Sequence, residues 1–291
     1  MIGVDWGTSS FRAFRIGADG TVIERREGPH GILSVEGRFA EVLAREIADW
    51  LRAGETEVLM SGMIGSRQGW TEAPYLPLPA TAGGLAARAV PVPFPAARVR
   101  LVPGLSGPDA TGVPDVMRGE ETQIVGVLDT LDAASATVCL PGTHSKWARV
   151  EGGMITGFTT HMTGEVFAAL HGHTILGRTM QSGPTVPAAF ERGVARAGER
   201  GGWLHHLFGV RALGLTGGLP DSEGLSYLSG LLIGHEIRAA APDAAAPIHL
   251  VGTAALCGLY AQALATLGIE TRTHPPDIAA RGLFRIAQVA S

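Results

Sequence analysis

Residues 2–16 read IGVDWGTSSFRAFRI, and the rest of the fold is best read outward from this stretch. Ile2 to Trp6 is a short apolar run of the length and composition of a strand. Gly7 to Ser10 is a run of small residues that makes a tight turn. Phe11 to Ile16 reads as a second strand, Ala18-Asp19-Gly20 as a hairpin turn, and Thr21 to Arg26 as a third strand. A strand ending in Asp-x-Gly-Thr-x-Ser also carries chemistry. Glycine at Gly7 lets the backbone approach a phosphate. The successive amides of Thr8, Ser9 and Ser10 can form an anion-binding nest, and the hydroxyls of Thr8 and Ser10 add donors. Asp5 is placed to hold Mg²⁺ through water, because magnesium keeps much of its hydration shell. An ordinary hairpin turn with a buried aspartate accounts for the same residues.

The pattern returns. Thr137 to Leu140 is a strand, Gly142-Thr143-His144-Ser145 follows it after Pro141, and Lys146 to Thr160 is a hairpin through Glu151-Gly152-Gly153. Strand, Gly-Thr turn and hairpin twice in one chain reads as a duplicated domain core with a ligand between the halves. Transfer of a γ-phosphoryl group needs its oxygens held from several sides. Gly7 to Ser10 and Gly142 to Ser145 are therefore paired phosphate-binding candidates. A chain of 291 residues has room for about two domains. Composition shifts at Asp115, after a Pro- and Gly-rich tract from Pro74, so the expected domains are 1–114 and 115–291.

Elsewhere, helical spacing predicts helices over Phe39–Leu51, Glu121–Leu131, Thr163–Leu176, Pro187–Ala197, Leu225–Ala240, Ala254–Leu267 and Asp277–Val289. Strands are expected at Glu57–Met63, Val99–Val102, Ile248–Val251 and Glu270–Thr273; the rest of Pro74–Pro114 reads as loop. Hydrophobic residues make up 45% of the chain, ample for packed cores, and the net charge of −4 gives no basic excess for nucleic acid. The N-terminus lacks the pattern of a signal peptide, and apolar runs are interrupted well short of a membrane span, so a cytoplasmic protein is expected. Cys139 and Cys257 sit in apolar runs and read as small buried hydrophobes.

VDWGTSSFRAF (4–14) resembles the first phosphate motif of the actin-like ATPase and sugar kinase superfamily, and LPGTHSKW (140–147) resembles the second. IHLVGTAALCGLYAQAL (248–264) stands where that superfamily keeps its adenosine motif, with Gly252-Thr253 in place of the usual Gly-Gly pair. Within the superfamily the whole chain resembles the 2-dehydro-3-deoxygalactonokinases. The carrying segments are SGMIGSRQGWTEAPYLPLPA (61–80), DVMRGEETQ (115–123), LPGTHSKWARV (140–150), MTGEVFAAL (162–170), YLSGLLIGHEI (227–237) and AARGLFRIA (279–287).

The resemblance implies an α/β fold of two duplicated actin/hexokinase-like (ribonuclease H-like) domains with the active-site cleft between them. It implies transfer of the γ-phosphoryl group of ATP, with Mg²⁺, to the 6-hydroxyl of 2-dehydro-3-deoxy-D-galactonate. The products would be 2-dehydro-3-deoxy-6-phospho-D-galactonate and ADP, in galactonate catabolism. A sugar acid and ATP are then the partners, with neither nucleic acid nor membrane; the oligomeric state stays open. A kinase of another sugar or sugar acid, a phosphoanhydride hydrolase and a regulatory ATPase are the alternatives on the same fold.

Site roles follow from the same likeness. Glycerol-kinase-like enzymes place an aspartate after a glycine upstream of the second phosphate loop, which points to Glu120 after Gly119 as the base, with glutamate in place of the usual aspartate and Glu121 as rival. A surface cluster of Arg118, Glu120 and Glu121, or a carboxylate pair at a helix N-terminus, is the alternative. Arg67 lies in a Gly-rich loop with Gln68 and Trp70. Arginine binds carboxylates bidentately, so these residues are substrate-binding candidates; an exposed structural arginine is the alternative. Arg12 resembles the arginine of the SSRA stretch in glycerol kinases, which makes it a candidate contact for phosphate or an inter-domain carboxylate. His144 and Lys146 flank the second loop as phosphate or substrate contacts, or as a turn histidine and a solvated lysine. Gly252 and Thr253 are the nucleotide-binding candidates. Glu165 reads first as a helix-start carboxylate. His161, His171 and His173 are a weak metal pattern. Trp203, His205 and His206 read as packing or surface residues.

Overall fold

The computed structural model describes residues 1–131, 134–241, 246–275 and 277–290. The chain forms two compact units. One comprises Met1–Ala136, Ala148–Phe158 and Pro275–Ser291; the other comprises Thr137–Trp147 and Thr159–His274.

In the first unit, β1 (Ile2–Trp6) pairs antiparallel with β2 (Phe11–Ile16), and β2 pairs antiparallel with β3 (Val22–Gly28). On its other side β1 lies parallel to β4 (Glu57–Ser61). A two-residue β5 (Leu76–Pro77) and β6 (Val90–Val92) follow, and β7 (Arg98–Leu101) lies parallel to β4. The six-stranded order is β3-β2-β1-β4-β7-β6. Between β3 and β4 run helices α1 (Phe39–Glu46) and α2 (Ala48–Arg52). Short helix α3 (Ala82–Ala87), strands β8 (Leu105–Pro108) and β9 (Pro114–Met117), and helix α4 (Glu120–Val127) complete this stretch. β5, β8 and β9 form a separate small sheet.

Aromatic packing anchors this core. Trp6 meets Phe11 edge to face at 4.8 Å and Phe39 at 5.8 Å, with Ile47 and Trp50 buried in the same cluster. The expected helix over 39–51 breaks at Ile47, whose φ of −113° leaves the helical region. Arg26 holds the break. Its guanidinium binds the carbonyl of Glu46 and, at 2.6–2.7 Å, both oxygens of Asp49.

In a second sheet, whose residues 135–136 and 148–158 belong to the first unit and whose other residues belong to the second, the sequence echo becomes a topological one. Strands β10 (Ser135–Leu140), β11 (Ser145–Glu151), β12 (Met154–His161), β13 (Ile248–Leu250) and β14 (Thr271–Thr273) form a sheet in the order β12-β11-β10-β13-β14. This matches β3-β2-β1-β4-β7 strand for strand, with β10 parallel to β13 and β13 parallel to β14. The β11–β12 turn has positive φ at both Gly152 and Gly153, which suits a two-residue hairpin. Helices α5 (Thr163–His173), α6 (Pro187–Arg196), α7 (Gly202–Leu215), α8 (Gly224–Ala240) and α9 (Ala254–Thr266) supply the rest, with Phe190, Trp147, Tyr260 and both cysteines in the core.

The chain then returns to the first unit as α10 (Ile278–Gln288), which packs on α4 with backbones in contact. A Cβ at Gly282 would lie 1.8 Å from the carbonyl oxygen of Thr122, and one at Gly126 would lie 2.2 Å from that of Ile278. This pairing is why the compact units do not divide at the expected 114/115 boundary: α4 and α10 both belong with β1 to β9. Two further expectations are corrected. The tract 74–114 holds α3 and four strands besides the expected one, and the residues 202–215 form a helix that periodicity did not indicate.

Candidate active site

In each unit the candidate residues lie at the carboxyl ends of parallel strands, where ligands bind in open α/β sheets. In the first unit, Gly7 to Ser10 forms the turn between β1 and β2, closed by the Gly7 amide donating to the Ser10 carbonyl at 2.9 Å. Thr8, Ser9 and Ser10 are exposed. Asp5 at the end of β1 is buried and ion-paired with Arg12 at 2.5 Å. Burial raises its pKa, and the Arg12 guanidinium opposes that rise. Opposite Asp5 in the parallel register stands Ser61. The next residue, Gly62, has a φ of +98°, and a side chain there would strike the Trp6 carbonyl at 2.6 Å and the Asp5 carboxylate at 3.2 Å. Gly119, also at positive φ, packs on Gly62 in turn. These contacts bring the start of α4 to the β1 and β4 ends.

Both carboxylates of α4 fold back on the chain. Glu120 Oε2 accepts from the Arg118 amide at 3.0 Å, and Glu121 Oε2 accepts from the Gly119 amide at 2.6 Å. Glu120 is partly exposed, whereas Glu121 is fully buried. Burial, reinforced by the charge of Glu120, pushes Glu121 up to about 8.

The loop after β4 separates its candidates. Arg67 is 88% exposed and pairs with Glu72 at 3.1 Å, and Gln68 is exposed beside it. Trp70 instead joins the core, packed between Phe39 and Phe94, so its indole is a structural prop. Arg118, read from sequence only as part of a charge cluster, is buried beneath Tyr75.

In the second unit, Gly142 to Ser145 links β10 to β11 and is docked on the start of α5. The Glu165 amide donates to the Thr143 carbonyl at 3.0 Å, and Gly164 comes so close that a Cβ would lie 2.6 Å from the Gly142 carbonyl. Glu165 and His144 pair side chain to side chain, which joins helix to loop. Thr143 and His144 are exposed. Ser145 departs from its expected role: it is fully buried and its hydroxyl bonds Tyr260 at 2.8 Å. Lys146 is buried, neither solvated nor at the loop surface, and donates to Thr160 at 2.7 Å. Behind the loop, Glu236 accepts from Trp147 Nε1 at 2.7 Å and from the Tyr260 hydroxyl at 2.6 Å. Sequence reading missed this buried network, because its members lie far apart in the chain and no spacing connects them.

The β13 end lies beside the loop, with the Val251 amide bonded to the Cys139 carbonyl at 3.0 Å. Gly252 and Thr253 lead into α9, where Thr253 caps the helix through the Leu256 amide. A cavity of about 300 Å³ opens against Gly142, walled by Phe167, Leu256, Leu259 and Tyr260, with Ser226 and Ser229 as polar groups. His161 ends β12 while His171 and His173 lie on α5; among the described residues no group of three acids, histidines or cysteines could hold a metal. His206 is buried and bonds His235 at 3.1 Å, whereas Trp203 and His205 are exposed.

Two sheets built on one strand order, each with a Gly-Thr turn after its first strand in sequence, define an actin-like ATPase and sugar kinase fold, as the solved structural neighbours also show. The 2-keto-3-deoxy-galactonokinase family model matches residues 5–286, and the chain belongs to that family. A Rhizobium meliloti (strain 1021) protein named as a probable 2-dehydro-3-deoxygalactonokinase is 39% identical over 285 residues, covering 96% of this chain and 93% of its own length. The 2-dehydro-3-deoxygalactonokinase of Escherichia coli (strain K12) is 35% identical, covering 96% and 94%. A crystal structure of a Sinorhizobium meliloti protein given the same assignment superposes with a TM-score of 0.89 at 37% identity, covering 99% of this chain and 97% of that one.

Proposed function

We propose that this chain transfers the γ-phosphoryl group of ATP to the 6-hydroxyl of 2-dehydro-3-deoxy-D-galactonate, in cytoplasmic galactonate catabolism. The observation that carries the proposal is the repeated Gly-Thr turn at the end of the first strand of both sheets, in a chain whose family is known by that activity. Exposed amides and hydroxyls of Thr8, Ser9 and Ser10, and of Thr143 and His144, are the phosphate donors in this reading. Ser145 supports the second loop from beneath. The adenine ring enters the apolar cavity beside Gly142, with Gly252 and Thr253 at its approach.

Asp5 fits Mg²⁺ as an outer ligand: a buried carboxylate already paired with Arg12 suits a cation that retains its water shell. The ion supplies charge neutralisation to the phosphates when bound. Glu120 is the proton acceptor for the 6-hydroxyl, since a base must be reachable and Glu120 is partly exposed where Glu121 is buried. Glu121, buried and held up to about 8, keeps its own proton at neutral pH. No helix among the described residues is long and apolar enough to cross a membrane.

A coupled ADP-release assay with Mg-ATP tests the proposal, offering 2-dehydro-3-deoxy-D-galactonate, its gluconate epimer, glycerol or no acceptor. ADP released with the galactonate-derived acid alone is the expected result. Equal release without acceptor would replace the kinase with a hydrolase or ATPase.

A further inference from the structure

The second Gly-Thr turn is anchored in a way that the first is not. In the first turn Ser10 is exposed. In the second, Ser145 stands in the matching place but is fully buried, its hydroxyl 2.8 Å from that of Tyr260. Tyr260, on α9, donates to Oε2 of Glu236 on α8 at 2.6 Å, and Trp147 Nε1 donates to Oε1 of the same carboxylate at 2.7 Å. Glu236 is 4% exposed and Tyr260 2%. All four residues belong to the second unit.

Counting protons fixes the direction of this chain. An ionised carboxylate only accepts, while a phenol and a serine hydroxyl each have one proton to give. The Tyr260 proton lies toward Glu236, so in its other bond Tyr260 accepts and Ser145 donates. Burial, and then the charge of Glu236, hold the phenol above its ordinary pKa, so it remains a donor. The Ser145 proton is therefore directed inward, and its hydroxyl has none left for a phosphate. A buried carboxylate is tolerated only when it is hydrogen-bonded, and here its two donors come from β11 and α9. The root of the turn is thus fixed by three elements. On its other flank the turn is tied to α5, where the Glu165 amide donates to the Thr143 carbonyl. The Tyr260 side chain also walls the cavity beside Gly142.

We infer that Glu236 and Tyr260 are positioning residues for the nucleotide: acting through Ser145, they hold the second Gly-Thr turn so that Thr143 and His144 meet phosphate without rearrangement. This rests on the phosphate-binding part of the reading above. Donors held in place before a ligand arrives need no reorganisation when it binds. Cutting the chain at any link loosens the turn and weakens its hold on ATP, while the sugar acid is bound as before.

The test is steady-state kinetics of wild type, Ser145→Ala, Tyr260→Phe, Glu236→Gln and the double variant Ser145→Ala/Tyr260→Phe, with Mg-ATP and the sugar acid varied separately. Tyr260→Phe keeps the ring in the cavity wall and removes only the hydroxyl. The expected result is a KM for ATP raised about 3- to 10-fold in Ser145→Ala and in Tyr260→Phe, with KM for the acid unchanged. Glu236→Gln shifts KM for ATP in the same direction. Because the residues act as one chain, the double variant is no worse than the more severe of its single variants. A merely structural network would lower the thermal midpoint and leave KM for ATP at the wild-type value, or raise both KM values together. Either result, or additive effects in the double variant, overturns the inference while the kinase reading stands. Should Glu236→Gln fail to fold, Ser145→Ala and Tyr260→Phe decide the matter. Should wild type release ADP equally without acceptor, the kinase reading falls, and the same comparison of KM for ATP still judges the inference. Wild-type protein that turns over no ATP overturns both.

Discussion

Glu120 and Glu121 are adjacent in sequence and opposite in environment. The helix begins at Glu120, so Glu121 is turned into the core with Ile124 and Val125 while Glu120 stays partly exposed. Glu120→Gln is expected to lower kcat by roughly 10²–10⁴-fold with KM for ATP near normal; unchanged kcat would remove Glu120 from the base role. Glu121 makes a prediction about stability. The unfolded chain releases its proton near pH 4.5, whereas the folded protein holds it to about 8. The folded state therefore binds more protons across that window, and this group's contribution falls as pH rises from about 4.5 to 8. Melting temperature measured against pH should decline less steeply over this range in Glu121→Gln than in wild type. Parallel curves would mean that Glu121 ionises normally. Sequence presented the two glutamates as rivals because both follow Gly119 closely; only the register of α4 separates them. Arg118 was hidden for a related reason, since a run of charged residues looks solvated until the Tyr75 ring and Ala73 carbonyl are seen to enclose it.

Elements with their own local signals were legible. The strand, Gly-Thr turn and hairpin units announced themselves through apolar runs bounded by small residues, and α8, α9 and α10 through their apolar spacing. The tract 74–114 was not legible: strands such as Leu76–Pro77 and Val90–Val92 are too short to show alternation, and they exist through pairing with distant partners. Helix α7 was missed because glycines at 202, 209 and 214 interrupt it and because Leu204, Phe208 and Leu215 expose apolar surface where polar residues were expected. Where helices meet, a single atom matters. Gly282→Ala places a methyl group against the Thr122 carbonyl, which neither backbone can yield cheaply. A loss of at least about 1–3 kcal/mol is expected, as for other overpacked cores, measured as a lower thermal midpoint. An unshifted midpoint would show that α4 and α10 do not touch as described.

At the scale of the molecule, the duplication was visible in sequence as four echoed residues, but the composition shift at Asp115 misplaced the division. Composition cannot show that α10 belongs with β1 rather than with its chain neighbours. The helix buries Ile278, Leu283 and Ile286, and its Ala279 and Ala280 pack with Phe14 and Ile16 of β2. Truncation after His274 should therefore damage the first unit more than the second. The expected outcome is a flattened near-ultraviolet circular dichroism signal from Trp6, Trp50 and Trp70, with exposed apolar surface detectable by dye binding. A truncated chain with native tryptophan signals would show that α10 is dispensable.

The same return of the chain sets an order of events on the ribosome. The second unit falls wholly within residues 137–274, so all of it has been synthesised once His274 has left the exit tunnel. The first unit, although most of it is synthesised earlier, must wait for residues 278–288 with the apolar surface on β1, β2 and α4 that α10 later covers still open to chaperones. The unit that contains β1 is thus completed only by the helix at 278–288.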